Sequence, residues 1–156
     1  MKKKIKTALI SVSDKTDLSK ILKTLSRYKV KIISSGGTYK SIKKLGYPCT
    51  EVSVYTGFKE MLDGRVKTLH PKIHAGILHD RSNRKHAQEM SKQKFPSLDL
   101  IIVNFYPFQK IVANSKNNKQ IIENIDIGGP TMVRSAAKNY KNVLIITNKN
   151  DYTDLI

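Results

Sequence analysis

This chain of 156 residues has no tryptophan, a single cysteine, and only 12 acidic residues against 29 lysines and arginines. Each shortage excludes something. One thiol, Cys49, closes no internal disulfide, so the fold must rest on packing, and a reducing cytoplasm is the expected setting. No apolar run approaches the ~18–20 residues that a membrane-spanning helix needs. The apolar piece behind the charged start is short and broken by Ser11, Ser13 and Asp14, which does not suit a secretory signal. Repeats, low-complexity tracts and linkers are also missing. The length fits one domain, residues 1–156, with a core of useful size.

The scarcity of acid leaves a net charge of +17. The lysines are scattered, densest from Lys2 to Lys6 and at Lys40, Lys43 and Lys44. They are not interleaved with aromatics as on a single-strand-binding platform, and no zinc-finger spacing occurs. The charge favours anionic ligands, small or polymeric, without selecting nucleic acid.

What is present is an alternation of short apolar runs with helical patterns. Residues 7–13 form a run with little alternation, as expected of a strand covered on both faces. Leu18, Ile21, Leu22 and Leu25 follow at helical spacing. Residues 30–34 read as a second strand, and Ile42 and Leu45 mark a helix ending at Gly46. Residues 51–53 and 74–78 read as short strands, and residues 98–104 as the clearest buried strand. Residues 143–147 read as the last strand. Residues 56–68 read as an ordered loop, 84–94 as a polar helix or loop, and 112–119 as loop. This predicts an α/β domain, a mostly parallel sheet flanked by helices in three layers, with ligands beyond the carboxyl ends of the strands.

Three segments fall at such ends. Ser11-Val-Ser13-Asp14-Lys15 follows the first strand. Ser35-Gly36-Gly37-Thr38 follows the second. There the glycines remove Cβ bulk, a helix start offers free amides, and Ser and Thr add hydroxyls, which together make an anion site or a plain helix cap. Asn104-Phe105-Tyr106-Pro107 follows the strong strand. Arg65 and Lys67, in the loop Gly64-Arg-Val-Lys-Thr68, could clamp a carbonyl or phosphate and hold developing charge.

Residues 126–139 are the most informative stretch. A buried-looking approach, Ile-Ile-Glu-Asn-Ile, delivers Asp126. Gly128 and Gly129 allow close backbone approach, Pro130 suits the first helical position, and an Ala-rich helix carries Lys138. His70 and His74 stand four apart, but Pro71 lies between them and no further ligands complete a metal site. Both read as structural, and His79 and His86 as surface residues.

In order along the chain, Ser11-Val-Ser-Asp-Lys15, Ser35-Gly-Gly-Thr38, Gly57-Phe-Lys-Glu-Met-Leu-Asp-Gly-Arg-Val-Lys-Thr-Leu-His-Pro71, His74-Ala-Gly-Ile-Leu78, Asn104-Phe-Tyr-Pro-Phe108 and Asp126-Ile-Gly-Gly-Pro-Thr131 closely resemble the IMP cyclohydrolase domain, which bifunctional purine-biosynthesis proteins pair with an AICAR transformylase. The resemblance covers nearly the whole chain, and the Gly-Arg-Val-Lys-Thr-Leu-His-Pro string is its most specific part. It implies a methylglyoxal-synthase-like fold, closure of the purine ring of a formylated aminoimidazole carboxamide ribotide to IMP, and no metal or organic cofactor. It also implies a homodimer and a transformylase domain as fusion or partner, absent from these residues. The substrate phosphate would lie at Ser13, Asp14, Lys15 and Ser35, Gly36, Gly37 and Thr38. The base would lie against Arg65, Val66, Thr68, Val103, Asn104, Ile127 and Gly128. Lys138, Lys67, Tyr106 and Asp126 would carry the chemistry, with Lys138 first for proton transfer. Asp17 stands where the family commonly has Gly, and Phe105 where Leu is usual. The alternatives are methylglyoxal synthase, which has no evident use for the Arg65–Lys67 string, a non-catalytic phosphate-ligand module, and a nucleic-acid binder.

Overall fold

The computed structural model describes residues 4–156. Lys2 and Lys3, at the head of the basic N-terminal run, lie outside the described residues. Five parallel strands form one sheet in the order β3-β2-β1-β4-β5: β1 (Thr7–Val12), β2 (Lys31–Ser34), β3 (Thr50–Glu51), β4 (Leu100–Asn104) and β5 (Leu144–Ile146). The chain runs outward from β1 through β2 to β3. It then crosses back to place β4 on the other side of β1, paired Val12 to Asn104 at the carboxyl end. That reversal is where an open parallel sheet leaves a crevice between diverging loops.

Alternation along the strands divides the core into two layers. Ala8, Ile10, Leu100 and Ile102 face α1 (Leu18–Arg27), whose Leu18, Ile21, Leu22 and Leu25 are buried, and Ile42 of α2 (Gly36–Lys44). Leu9, Ile101 and Val103 face Ile73 and Ile77 of α4 (Pro71–Leu78) and Met132 and Ala136 of α8 (Gly128–Lys138). The three-layer α/β arrangement is the one expected, and the sheet is parallel throughout.

Several local expectations need correction. Residues 74–78 are not a strand but the end of α4. Pro71 opens that helix, the His70 side chain caps it by accepting from the Lys72 amide at 3.1 Å, and Ile73 and Ile77 meet the core one turn apart. Residues 51–53 divide, with Glu51 ending β3 and Val52 opening α3 (Val52–Thr56). Residues 84–92 are helical (α5, Arg84–Lys92), capped by Asn83 and without a buried residue. Residues 112–119 are not one loop: α6 (Phe108–Asn114) and α7 (Asn118–Glu123) leave only three residues between them, and Asn117 caps the second helix. Pro130 is third in α8, not first, a position whose amide also lacks an intrahelical partner. The last helix is α9 (Tyr152–Leu155).

Asp17, at the start of α1, has φ of 59°. A left-handed conformation costs an L-residue about 1–2 kcal/mol, part of which glycine returns through its freer unfolded chain. Asp17→Gly is therefore expected to stabilise the fold by about 0.5 kcal/mol, raising the melting temperature by roughly 1–2 °C in a thermal denaturation scan. The exposed Asp17–Lys20 ion pair subtracts little.

Away from the crevice, Asp99 ties the sheet's lower edge. Its Oδ1 accepts from Arg81 Nη1 at 2.7 Å, and its Oδ2 accepts from the amides of Lys6 and Thr7 at 2.8 and 2.9 Å. Arg81 also donates to the Leu98 carbonyl.

Candidate functional site

A cleft of about 650 Å³ opens over the carboxyl ends of β1, β2 and β4. Its first wall is the anion segment. Thr38 is buried, and its hydroxyl both accepts from the Val12 amide (3.1 Å) and donates to the Val12 carbonyl (2.9 Å). That hydroxyl therefore locks the start of α2 against β1. Gly36 has φ of +53°, and a Cβ on it would come within 3.3 Å of Lys67 Nζ. Lys15 Nζ lies beside Gly37 and donates to the Ser13 carbonyl at 3.2 Å.

Asn104, expected to face a base, is also fully engaged. Its Oδ1 accepts from the amides of Ser13 (2.6 Å) and Asp14 (2.9 Å), and its Nδ2 donates to the Asp14 carbonyl (2.9 Å). A residue of β4 thus fixes the loop after β1. The Asp14 carboxylate turns away from the cleft. It accepts from the Thr16 hydroxyl and amide and pairs with Lys149 at 3.1 Å, contacts that hold it far below the usual carboxylate range.

The second wall is the segment between α3 and α4. A tight turn at Leu62–Gly64, closed by a bridge between Met61 and Val66, carries three successive left-handed residues, Leu62, Asp63 and Gly64. It delivers Arg65, Lys67 and Thr68 to the cleft. A Cβ on Gly64 would stand 3.0 Å from Lys67 Nζ, so the ammonium lies against two glycines, and it pairs with Glu60 at 3.1 Å. Arg65 makes a two-pronged bond to Glu123, with Nε to Oε1 at 3.1 Å. This pairing raises the guanidinium's affinity for its proton and lowers that of the carboxylate.

The third wall is the start of α8. Asp126 Oδ1 accepts from the Gly129 amide at 2.8 Å, which leaves Oδ2 free of that bond. A Cβ on Gly129 would fall 2.6 Å from Oδ2, and one on Gly128 only 2.4 Å from the Thr68 hydroxyl. The two glycines therefore allow the Asp126 cap and seat Thr68 against the helix start. Tyr106 is half exposed and reaches the cleft from beyond β4.

Of the expected site residues, Ser13, Lys15, Ser35, Gly36, Gly37, Thr38, Arg65, Lys67, Thr68, Asn104, Tyr106, Asp126, Ile127 and Gly128 line this one cleft. Asp14, Val66, Val103 and Lys138 do not line it. Val103 is buried beneath, in the core layer under α4 and α8. Lys138 is exposed in the last turn of α8, ten residues and about 15 Å of helix from Gly128, which is more than a lysine side chain spans. The Ile-Ile-Glu-Asn-Ile approach is not buried either: Ile122 and Ile125 are 62% and 50% exposed, and the segment lines the cleft mouth. Glu60 and Glu123 escaped assignment because their partners are distant in sequence or joined only by the tight turn. His74 bonds Ser135 (3.1 Å), and burial lowers its basicity. His79 lies between the Ala75 carbonyl and Ser97, and His86 Nδ1 accepts from the Asp80 amide. All serve packing.

The charge lining the cleft is balanced. Three cations (Lys15, Arg65, Lys67) meet three carboxylates (Asp63, Glu123, Asp126). A surface built to follow a polyanion would be positive throughout, so the +17 of the chain does not extend into its cleft.

A family model described as the MGS-like domain matches residues 17–131. The chain is 50% identical over 152 residues to the bifunctional purine biosynthesis protein PurH of Clostridium acetobutylicum, covering 97% of this chain and 30% of that protein. It thus spans under a third of the length of that relative. The solved crystal structure of ForH superposes with a TM-score of 0.84 at 29% identity, over 96% of this chain and 77% of that one. No helix among the described residues is long and apolar enough to cross a membrane.

Proposed function

The chain belongs to the MGS-like domain family, and on that premise we propose that it acts in purine biosynthesis as an IMP cyclohydrolase, closing the ring of 5-formamidoimidazole-4-carboxamide ribotide with loss of water. The observation that carries this reading is one cleft with Lys15, which makes no ion pair among the described residues, and the start of α2 at one end, Asp126 and the start of α8 at the other, and Lys67 beside Gly36 and Gly64. A phosphorylated ribose with a neutral heterocycle suits that polarity. The 50% identity to a purine-biosynthesis protein supports the same choice.

The chemistry follows from atom balance. The carboxamide nitrogen attacks the formyl carbon and loses a proton, and the formyl oxygen takes up a proton to become a hydroxyl. That hydroxyl takes a second proton and leaves as water as the formamide nitrogen gives up its own proton to form the C=N bond. Asp126 Oδ2 receives the amide proton. Lys67 and Tyr106 polarise the formyl oxygen and protonate it on departure. The Gly128 amide stabilises the oxyanion before it is protonated; of the next three positions, the Gly129 amide is taken by Asp126, Pro130 has no N–H and the Thr131 amide donates to the Ile127 carbonyl. Lys15, Ser13 and the amides at 35–38 bind the phosphate. Arg65 and Thr68 line the base.

Lys138 of the same chain stands too far along α8 to share these steps. For it to move a proton here it must come from a second copy. Mixing a Lys138→Ala chain with a Lys67→Met chain tests this: two inactive variants regain up to roughly a quarter of the wild-type rate if a two-fold dimer shares residues between sites. A Lys138→Ala chain that closes the ring at the wild-type rate removes Lys138 from the chemistry.

The direct test is to incubate the chain with the formylated ribotide and follow IMP by absorbance. No turnover with intact nucleotide binding would instead support a non-catalytic ligand module.

A further inference from the structure

Three cations line the cleft, and they are not equivalent. Arg65 is held two-pronged by Glu123, which sits in the mouth at the end of α7. Lys67 is held by Glu60, which lines a second, smaller cavity on the far side of that lysine. Lys15 alone makes no ion pair among the described residues, and its ammonium donates only to a backbone carbonyl. Acid is scarce in this chain, 12 residues in 156, yet two of those acids stand on two of the three cations in the cleft.

The arrangement has a chemical consequence for the ligand. Lys67 Nζ lies close to Gly36 as well as Gly64, so it is within reach of an anion bound at the start of α2. Without Glu60, Lys67 would offer a second positive charge beside Lys15. Without Glu123, Arg65 would offer a third at the mouth. Three free cations along one cleft would favour ligands with several phosphates, or phosphate bound in the wrong half. With both carboxylates in place, one free cation remains.

We propose that Glu60 and Glu123 are specificity-determining residues that neutralise Lys67 and Arg65, so that the cleft accepts one phosphate group at Lys15 and discriminates against di- and triphosphates. The proposal rests on the phosphate assignment made above. Neither carboxylate touches the phosphate; each acts through the cation it occupies.

The test measures binding of two simple probes, inorganic phosphate and pyrophosphate, by calorimetry at low and fixed ionic strength. The unmodified chain should bind phosphate at least as well as pyrophosphate. A Glu60→Gln, Glu123→Gln double variant should gain roughly tenfold or more in pyrophosphate affinity, the scale of one added charge in a partly screened cleft, with a much smaller gain for phosphate. The single variants should each give part of the gain, and far-ultraviolet circular dichroism reports that the fold is kept. Unchanged selectivity in the double variant, while Lys15→Met still abolishes phosphate binding, overturns this inference alone. Phosphate binding that is indifferent to Lys15→Met overturns the phosphate assignment and this inference with it.

Discussion

A Lys67→Met chain is expected to close the ring about 10²–10³-fold more slowly than the unmodified chain, with its melting temperature nearly unchanged. The magnitude is that of losing one preorganised donor at an oxyanion. Stability should hold because the partner left behind, Glu60, is 57% exposed and can be rehydrated. The role proposed for Lys67 at the formyl oxygen puts the loss on kcat. The ammonium lies against Gly36 and Gly64, where the anion segment and the tight turn meet. Single-turnover absorbance at saturating ribotide checks this, and a loss confined to KM would show that Lys67 binds the ground state only.

An Asp99→Ala chain is expected to lose about 3–5 kcal/mol of stability, the cost of stranding one partner of a buried ion pair. For a chain of this length that lowers the melting temperature by on the order of 10 °C. The carboxylate is 8% exposed and satisfies three donors at once, the Arg81 guanidinium and the amides of Lys6 and Thr7. Its removal leaves the largely buried Arg81 charge and two backbone donors without this acceptor, at Lys6 and at Thr7 where β1 begins. Thermal denaturation checks the size. The sign of the local effect shows in faster amide exchange at Lys6 and Thr7 than elsewhere in the sheet. An Asp99→Ala chain as stable as the parent would mean that water replaces the carboxylate without cost.

How much was legible differs by segment, for physical reasons. The β1, β2, β4 and β5 segments could be read as short apolar runs of a sheet covered on both faces, and α1 by its apolar residues at helical spacing, whereas the order β3-β2-β1-β4-β5 is set by pairings between distant segments. The Gly36-Gly37 and Gly128-Gly129 pairs could be read as close-approach sites because no packing demand explains them; the Lys67 and Lys15 ammonium groups lie beside the first pair, and the Thr68 hydroxyl and Asp126 carboxylate beside the second. Residues 74–78 misread because a helix buried on one side and carrying Gly76 shows a short apolar run that a strand also shows. Helices α6 and α7 were invisible because neither buries a residue, so no period is imposed on them. The engagement of Thr38 and Asn104 by backbone was hidden because each partner lies 26 to 91 residues away. The balance of charge inside the cleft was hidden by the overall +17.

Helix α8 has one more property. Its first turn forms a wall of the cleft. Just past its other end the Asn139 side chain donates to the carbonyls of Ile77 (2.6 Å) and His79 (2.9 Å), where α4 finishes. Between them Met132 and Ala136 are clamped in the core. The helix is thus a strut pinned at its foot and its middle, and its head cannot drift sideways independently. Asp126 and Thr68 are then expected to keep their spacing when a ligand binds, and reorganisation is expected in the α6–α7 segment, whose helices bury no residue and which is tied to the cleft through the exposed Arg65–Glu123 pair.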